Sequence, residues 1–346
     1  MHLNKRSICG LAAAFLLLGT TSAAAQTKVR FQVDFVPQGL YSGFFYAIAK
    51  GYYTAEKLDI EMVDGRGSAL TVEALASSNI DIGEANSGVA ALAIGQGRDI
   101  VSVGMFLGKS TFGFFVPQNS GLNSIKSLSG KSLVMTPGTP EALMLPAVFK
   151  LAGVNFEKDI QKIAVEAPQK LTTYARGMGD SMVTSIPYGD PIIQPLRASG
   201  TLPWTDVGFV LPDYSFLVRR ATLQAQPEMI AAFLRATYRG MADATANVDE
   251  AVGIMVKARP LLKPDVTKQQ WLNFIKFFCS DAMEGKPLGW HSPEDWSRGL
   301  KVLQEYASLK GSIEADRFYT NAFFADNRVV SKTACGKGTY TAGKKG

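Results

Sequence analysis

The chain of 346 residues is longer than one hydrophobic core usually serves, which favours two lobes. Its 47% hydrophobic and 19% charged content excludes a disordered chain. The formal net charge of +6 is spread along the sequence and falls to +4 without Lys5 and Arg6, so no nucleic-acid partner is expected.

Lys5 and Arg6, the apolar run 8–18 and Ala23-Ala24-Ala25 before Gln26 read as a cleavable secretory signal over residues 1–25. The run is shorter than the roughly 20 residues a membrane span needs. Cys9 comes too soon after Arg6-Ser7-Ile8 to be a lipoprotein cysteine. The mature chain is expected to start near Gln26 and to work in the periplasm. Two cysteines remain, Cys279 and Cys335. An oxidising compartment permits a bridge between them, and one buried thiol with one loose one is the alternative; spacing does not decide. The tail 332–346 is rich in Gly and Lys and reads as a solvated end.

Residues 28–36 alternate, with Val29, Phe31, Val33 and Phe35 on one face. Pro37 breaks this strand, and an aromatic turn leads into a short apolar helix ending at Gly51. Residues 58–63 alternate again, which makes a βαβ unit with a parallel, right-handed crossover. A helix over 69–76, a strand near 80–83, a helix over 87–95 and a strand over 100–106 follow. Residues 111–116 are apolar and β-prone, and Pro117 ends them.

From Gln118 the cycle restarts with a short helix at 125–129, a strand at 132–135 and a turn at 136–141 opening a helix to 152. A strand near 163–166, a helix at 169–177, a strand at 181–185 and a turn at 186–190 leading into another helix complete it. A second β-prone segment, 214–218, mirrors 111–116. The rest reads as helices at 227–246, 249–258, 265–278 and 293–309. This predicts two α/β lobes. Residues 26–115 and 216–330 form the first, 116–215 the second, and 331–346 a flexible tail. Segments near 112–116 and 215–218 are expected to make a two-segment hinge, with a cleft at the carboxyl ends of the strands.

Catalytic chemistry finds little support. Beyond the leader there is one histidine, His291, just before Ser292, which reads as a helix cap with Asp295 three residues on. Histidine and cysteine are too sparse for a metal cluster or a nucleophile–base pair. Gly65-Arg-Gly67 and Gly95-Gln-Gly97 lack the third glycine of a dinucleotide loop, and there is no G-x-S-x-G. No cofactor and no metal are expected.

Polar and aromatic residues gather instead at the strand-to-helix turns. The first turn holds Asp34, Phe35, Gln38, Tyr41 and Phe44, and the turn after Ile82 holds Glu84, Asn86 and Ser87, with Ser87 as the cap. The second lobe offers Thr136, Gly138, Thr139 and Glu141, then Ser185, Tyr188 and Asp190. Aromatic faces with carboxylates and hydroxyls suit a flat heterocycle bearing N–H donors. A sulfonate or nitrate would instead favour helix N-termini with cationic or hydroxyl donors. Phe44 also suits a core, and Glu141 also suits a helix start.

Asp34-Phe-Val-Pro-Gln38, then Tyr41-Ser-Gly43-Phe-Phe-Tyr-Ala47 and Lys50-Gly-Tyr-Tyr53, resemble the D-W-x-P-N, H-x-G-x-x-x-A, G-Y-Y opening of the thiamine-pyrimidine precursor binding family. That family is a branch of the periplasmic solute-binding proteins of ABC transporters, close to the alkanesulfonate, taurine and nitrate binders. Leu58-Asp-Ile-Glu61, Asp81-Ile-Gly83 and Ser124-Ile-Lys-Ser-Leu-Ser-Gly-Lys131 extend the resemblance. It implies a type II periplasmic binding protein with two Rossmann-like lobes, mixed and mostly parallel sheets, and a two-segment hinge. It also implies a small solute as ligand, an ABC permease in the inner membrane as partner, and a monomer. Phe35 stands where the family tryptophan would stack on the ring, and Gln38 replaces its asparagine. Asp190 resembles the acidic residue that holds the amino group in pyrimidine binders. Tyr41 replaces the family histidine, which weighs against the thiamine precursor itself. Pyrimidine-forming relatives depend on a cysteine-rich motif and active-site histidines, and this chain carries neither.

Overall fold

The computed structural model describes residues 26–329 and 334–336. The expected signal peptide, residues 1–25, lies outside the described residues, as does most of the expected tail. The first series forms β1 (Thr27–Gln32), a 3₁₀ turn at Gly39–Tyr41, α1 (Ser42–Ala49), α2 (Tyr52–Ala55), β2 (Leu58–Val63), α3 (Ser68–Ala76), β3 (Ile82–Asn86), α4 (Ser87–Gly95) and β4 (Ile100–Leu107). The second forms β5 (Phe112–Pro117), β6 (Ser132–Met135), α5 (Pro140–Leu151), α6 (Phe156–Asp159), β7 (Gln161–Ala164), α7 (Ala167–Ala175), β8 (Ser181–Ser185), α8 (Ile186–Ile193) and β9 (Ser199–Pro203). The chain returns through β10 (Tyr214–Arg219) into α9 (Arg220–Ala225), α10 (Pro227–Ala246), α11 (Val248–Ala258), α12 (Pro264–Phe274), α13 (Pro293–Tyr306) and α14 (Ala322–Ala325).

The two sheets share one plan. The first is ordered β2-β1-β3-β10-β4 and the second β7-β6-β8-β5-β9. Around β1 and β6 the pairing is parallel, and one strand in each sheet, β10 or β5, runs antiparallel to both neighbours. Both reversed strands directly follow a passage between lobes. The hinge expectation is thus displaced: 112–116 and 215–218 are interior strands, and the passages are the short segments 108–111 and 208–213. Both strands are buried along nearly their whole length, and an apolar run with no periodicity cannot be told from a buried connector by sequence. β9, Ser-Gly-Thr-Leu-Pro, gave no strand signal at all; its place beside β5 comes from tertiary pairing.

The first lobe's core is an aromatic cluster. Phe31 lies 5.3 Å from Phe44 and 4.9 Å from Phe233 between ring centroids, and Phe44 lies 4.8 Å from Phe106. Phe44 is therefore core, because α1 lays its apolar face on the sheet. A smaller core of Phe115, Val134, Tyr174, Met182 and Ile193 serves the second lobe.

Cys279 and Cys335 form a disulfide with Cα atoms 5.7 Å apart. Around it, Cys335 N–H donates to the Lys286 carbonyl at 2.8 Å, and Gly285 N–H donates to the Cys335 carbonyl at 2.9 Å. Residues 334–336, expected within a free tail, are fastened to the body. The bridge closes a loop of 56 residues, and losing such a cross-link costs about 2–4 kcal/mol. Changing both cysteines to Ala is expected to lower the unfolding free energy by that amount, seen as a lower urea midpoint. An unchanged midpoint, with the parent protein oxidised, would contradict it.

Candidate functional site

The carboxyl ends of β1, β2, β6, β7 and β8 face a cavity of about 310 Å³ between the lobes. This is the position that an open α/β sheet offers a ligand, and the volume is that of a small-molecule site. From the first lobe come Asp34, Phe35, Gln38, Leu40 and Tyr41, with Arg66 and Gly67 after β2. From the second come Thr136 to Glu141, Glu166, Ala167, Lys170, Leu171, Thr184, Ser185 and Tyr188. Phe112 and Tyr214, which begin the two reversed strands, and Phe274 of α12 complete the wall.

Of the expected residues, Asp34, Phe35, Gln38, Tyr41, Thr136, Gly138, Thr139, Glu141, Ser185 and Tyr188 meet in this cavity. Gly138 holds φ at +78°, a left-handed conformation that glycine takes at no steric cost, and this lets the turn reverse before α5. Phe44 does not reach the cavity. Asn86 and Ser87 lie apart from it too. Asn86, not Ser87, caps α4, its Oδ1 accepting from Gly88 N–H at 3.0 Å and Val89 N–H at 3.2 Å. Ser87 Oγ donates to Ser215 Oγ at 3.2 Å. Asp190 is also misplaced by the sequence reading. α8 starts at Ile186, so Asp190 lies within the helix and accepts from Gln194 Nε2 at 3.1 Å, away from the cavity lining. Phe112, Tyr214, Lys170, Arg66 and Phe274 were missed. Phe112 fell in the expected hinge and Tyr214 in the β-prone segment 214–218, Arg66 in Gly65-Arg-Gly67, which was weighed only as a dinucleotide loop, and Lys170 and Phe274 within expected helices.

Buried carboxylates dominate the electrostatics. Asp34 Oδ1 accepts from the Ser68 hydroxyl, and burial raises its pKa to about 7 against that hydrogen bond, with the nearby Glu141 charge adding to the rise. Behind it, fully buried Glu84 accepts the Asp34 backbone N–H at 2.6 Å. Burial and the Asp34 charge push the Glu84 pKa well up. Asp213 is buried too. It accepts from Thr111 N–H and the Asn86 amide, both at 2.8 Å, yet burial lifts it to about 7. Among the described residues none of these three carboxyls pairs with a cation.

Two tyrosines sit against this acid cluster. Tyr41 accepts the Phe35 N–H on its hydroxyl at 3.0 Å. Burial first, then Glu84 and Asp34, hold its pKa well above the usual value, and Tyr214 is raised by burial and the same carboxylates. Across the cavity Lys170 and Glu141 form an ion pair at 2.5 Å, with side chains only 8% and 7% exposed. The charges cancel each other. Gln38 Oε1, Thr136 Oγ1 and Ser185 Oγ are buried in the lining and have no hydrogen-bond partner among the described residues. Such groups cost free energy until something pairs with them.

His291 is remote from this chemistry. It is fully buried, its Nδ1–H donates to Asn321 Oδ1 at 3.0 Å, and its Nε2 accepts from the Ser102 hydroxyl at 2.7 Å. Burial drives its pKa down to about 3, so it is a neutral, satisfied core histidine. No group of His, Cys, Asp or Glu among the described residues could hold a metal.

The profile of the NMT1/THI5-like family matches residues 39–251. The chain belongs to that family. Among its relatives is the riboflavin-binding protein RibY of Chloroflexus aurantiacus, 24% identical over 327 residues, covering 88% of this chain and 91% of that protein. Another is the 4-amino-5-hydroxymethyl-2-methylpyrimidine phosphate synthase of Legionella pneumophila, 21% identical, covering 88% of this chain and 94% of that one. The fold is that of the periplasmic binding proteins. The periplasmic aliphatic sulphonate binding protein SsuA of Escherichia coli superimposes with a TM-score of 0.64 at 16% identity, over 87% of this chain and 88% of that one.

Asp34 and Asp213 bind protons more readily folded than unfolded, since their folded values near 7 exceed the ordinary value of about 3.9. Between about pH 4 and 7 the native state therefore holds more protons, and stability falls as pH rises through that window. Asp34→Asn keeps the oxygen that Ser68 needs and removes the titration. Its urea midpoint is expected to fall less than the parent's between pH 4.5 and 7.5; equal slopes would contradict the assignment.

Proposed function

We propose that the protein captures a small, flat aromatic heterocycle bearing N–H donors between its lobes and delivers it to the permease of an ABC importer. It would do so as a periplasmic monomer, without catalysis. The observation that carries this reading is the lining itself. It presents aromatic faces (Phe35, Tyr188, Tyr214) beside the Asp34 carboxyl and the acceptor Gln38 Oε1, which lacks a donor among the described residues, and a ring with amino or imino groups supplies such donors. The riboflavin and pyrimidine relatives support it, because their named ligands and products are such rings. Closure around the solute would shift an open–closed equilibrium that the permease reads.

A sulfonate or nitrate is the second reading, favoured by the fold shared with SsuA. Charge weighs against it. Anion sites of this kind use helix N-termini, yet Glu141 occupies the first turn of α5 and Glu166 the cap of α7. Arg66 lines the cavity but is exposed, where water screens its charge. Catalysis is the third reading, kept open by the synthase relative. Among the described residues the cavity lining contains neither histidine nor cysteine, which leaves proton transfer to carboxyls, tyrosines and Lys170.

A thermal-shift screen over riboflavin, 4-aminopyrimidines, taurine and nitrate tests the choice. A ligand at 100 times its Kd stabilises by about 2.7 kcal/mol, so a heterocycle is expected to raise the melting temperature and the anions are not. Asp34→Asn is expected to weaken that heterocycle about 10- to 100-fold, as loss of a charged hydrogen bond does, while Asp190→Asn stays within about twofold. Selection of taurine or nitrate, or turnover of the bound ring, would overturn the proposal.

A further inference from the structure

We propose that Gln270, on α12 and outside both strand–turn–helix series, is the positioning residue that holds the two lobes in the enclosing geometry. Its side chain is buried, 3% exposed, and its amide bonds both lobes at once. Gln270 Oε1 accepts the backbone N–H of Gly39 at 2.9 Å, and Nε2 donates to the backbone carbonyl of Tyr188 at 3.1 Å. Gly39 lies between Gln38 and Leu40, which line the cavity from the first lobe, and Tyr188 lines it from α8 of the second. One amide therefore sets the spacing of both jaws.

α12 is anchored in the first lobe. Trp271 is fully buried and donates its indole N–H to the Ala244 carbonyl of α10 at 3.3 Å. The turn at Gly39 is pressed so close that a Cβ there would lie 2.4 Å from the Thr267 carbonyl oxygen and 2.7 Å from Gln270 Cβ. Only glycine permits that approach. Toward α8 the contact is carried by two side-chain hydrogen bonds, the first of them from Gln270. Beyond Gln270 it continues through Asn273 Nδ2 to Asp190 Oδ2 at 3.5 Å, the outer limit of a hydrogen bond, and Phe274 turns into the cavity. Residues 270, 273 and 274 share one helical face, so this face forms a seam along the cleft.

The passages between the lobes are short, at 108–111 and 208–213, and the first is tied to the chain just after α12: Gly108 and Lys109 N–H donate to the Phe278 and Phe277 carbonyls, both at 3.1 Å. Rotation there moves α8 against α12. Opening then breaks the Tyr188 bond and keeps the Gly39 bond. Glutamine alone among side chains of this length carries both a donor and an acceptor on one planar head. Glutamate keeps the acceptor and loses the donor; methionine loses both.

That difference makes the test, which uses ligand-free protein and so does not depend on the solute assignment. Small-angle scattering reads the lobe separation, and hydrogen exchange reads the Gly39 amide. Gln270→Glu is expected to shift the open–closed ratio about fivefold toward open, the effect of one lost hydrogen bond, with Gly39 protection retained. Gln270→Met is expected to open the lobes equally and also lose Gly39 protection. Cooperative melting verifies folding of each variant, and Asn273→Ala opens the same seam should Gln270→Met fail to fold. Parental scattering in both Gln270→Glu and Asn273→Ala, or loss of Gly39 protection in Gln270→Glu, would overturn the role.

Discussion

Asp34, Glu84 and Asp213 are buried where the lobes meet, each with hydrogen bonds but no cation among the described residues. A carboxyl in that situation either keeps its proton or finds donors, and the surrounding architecture is an arrangement of donors. Ser68 serves Asp34, the Asp34 backbone serves Glu84, and Thr111 with Asn86 serves Asp213. Asp213 does more than fill a site. Its N–H donates to the Leu107 carbonyl at 3.0 Å and its carbonyl accepts from Ser87 at 2.6 Å, so one residue joins both passages to the start of α4. Hinge and cavity are thereby parts of one polar network.

The same constraint explains the far wall. The second lobe brings three helix starts to the cavity, a natural anion cradle, and then places Glu141 and Glu166 at two of them. Lys170 neutralises Glu141 within a buried pair. What remains is a surface of aromatic planes and acceptors, with Thr136 and Ser185 hydroxyls available to either role. The fold is shared with SsuA, but function resides in side chains grafted on a common frame, so the lining and not the fold bears on the ligand.

Much of this was legible in the sequence because both lobes repeat strand, turn and helix with clear periodicity. Asp34, Gln38, Thr136, Glu141 and Tyr188 were readable as cavity lining since each lies between the end of a strand and the first turn of the next helix. The failures have physical causes. Phe44 shares the turn's neighbourhood but points into the sheet, and residue type alone cannot give direction. Asp190 was set at a helix start because Pro187 and Gly189 suggest a turn, whereas Pro187 is accommodated in the first turn of α8. Asp213 belongs to a passage between lobes, and Phe112 and Tyr214 open the strands that follow the passages; their burial is a tertiary fact. Gln270 could not be found by any local pattern. Its partners are a backbone N–H 231 residues away and a backbone carbonyl 82 residues away.

The central claim is that Asp34 receives N–H donors from the solute. Calorimetry at pH 6, in two buffers of different ionisation enthalpy, measures the protons exchanged when the solute selected by thermal shift binds. With its pKa near 7, Asp34 is largely protonated there, and donors from the ligand lower that pKa. The account predicts proton release on binding, abolished in Asp34→Asn. Proton uptake, the response to an anion beside the same carboxyl, would contradict it.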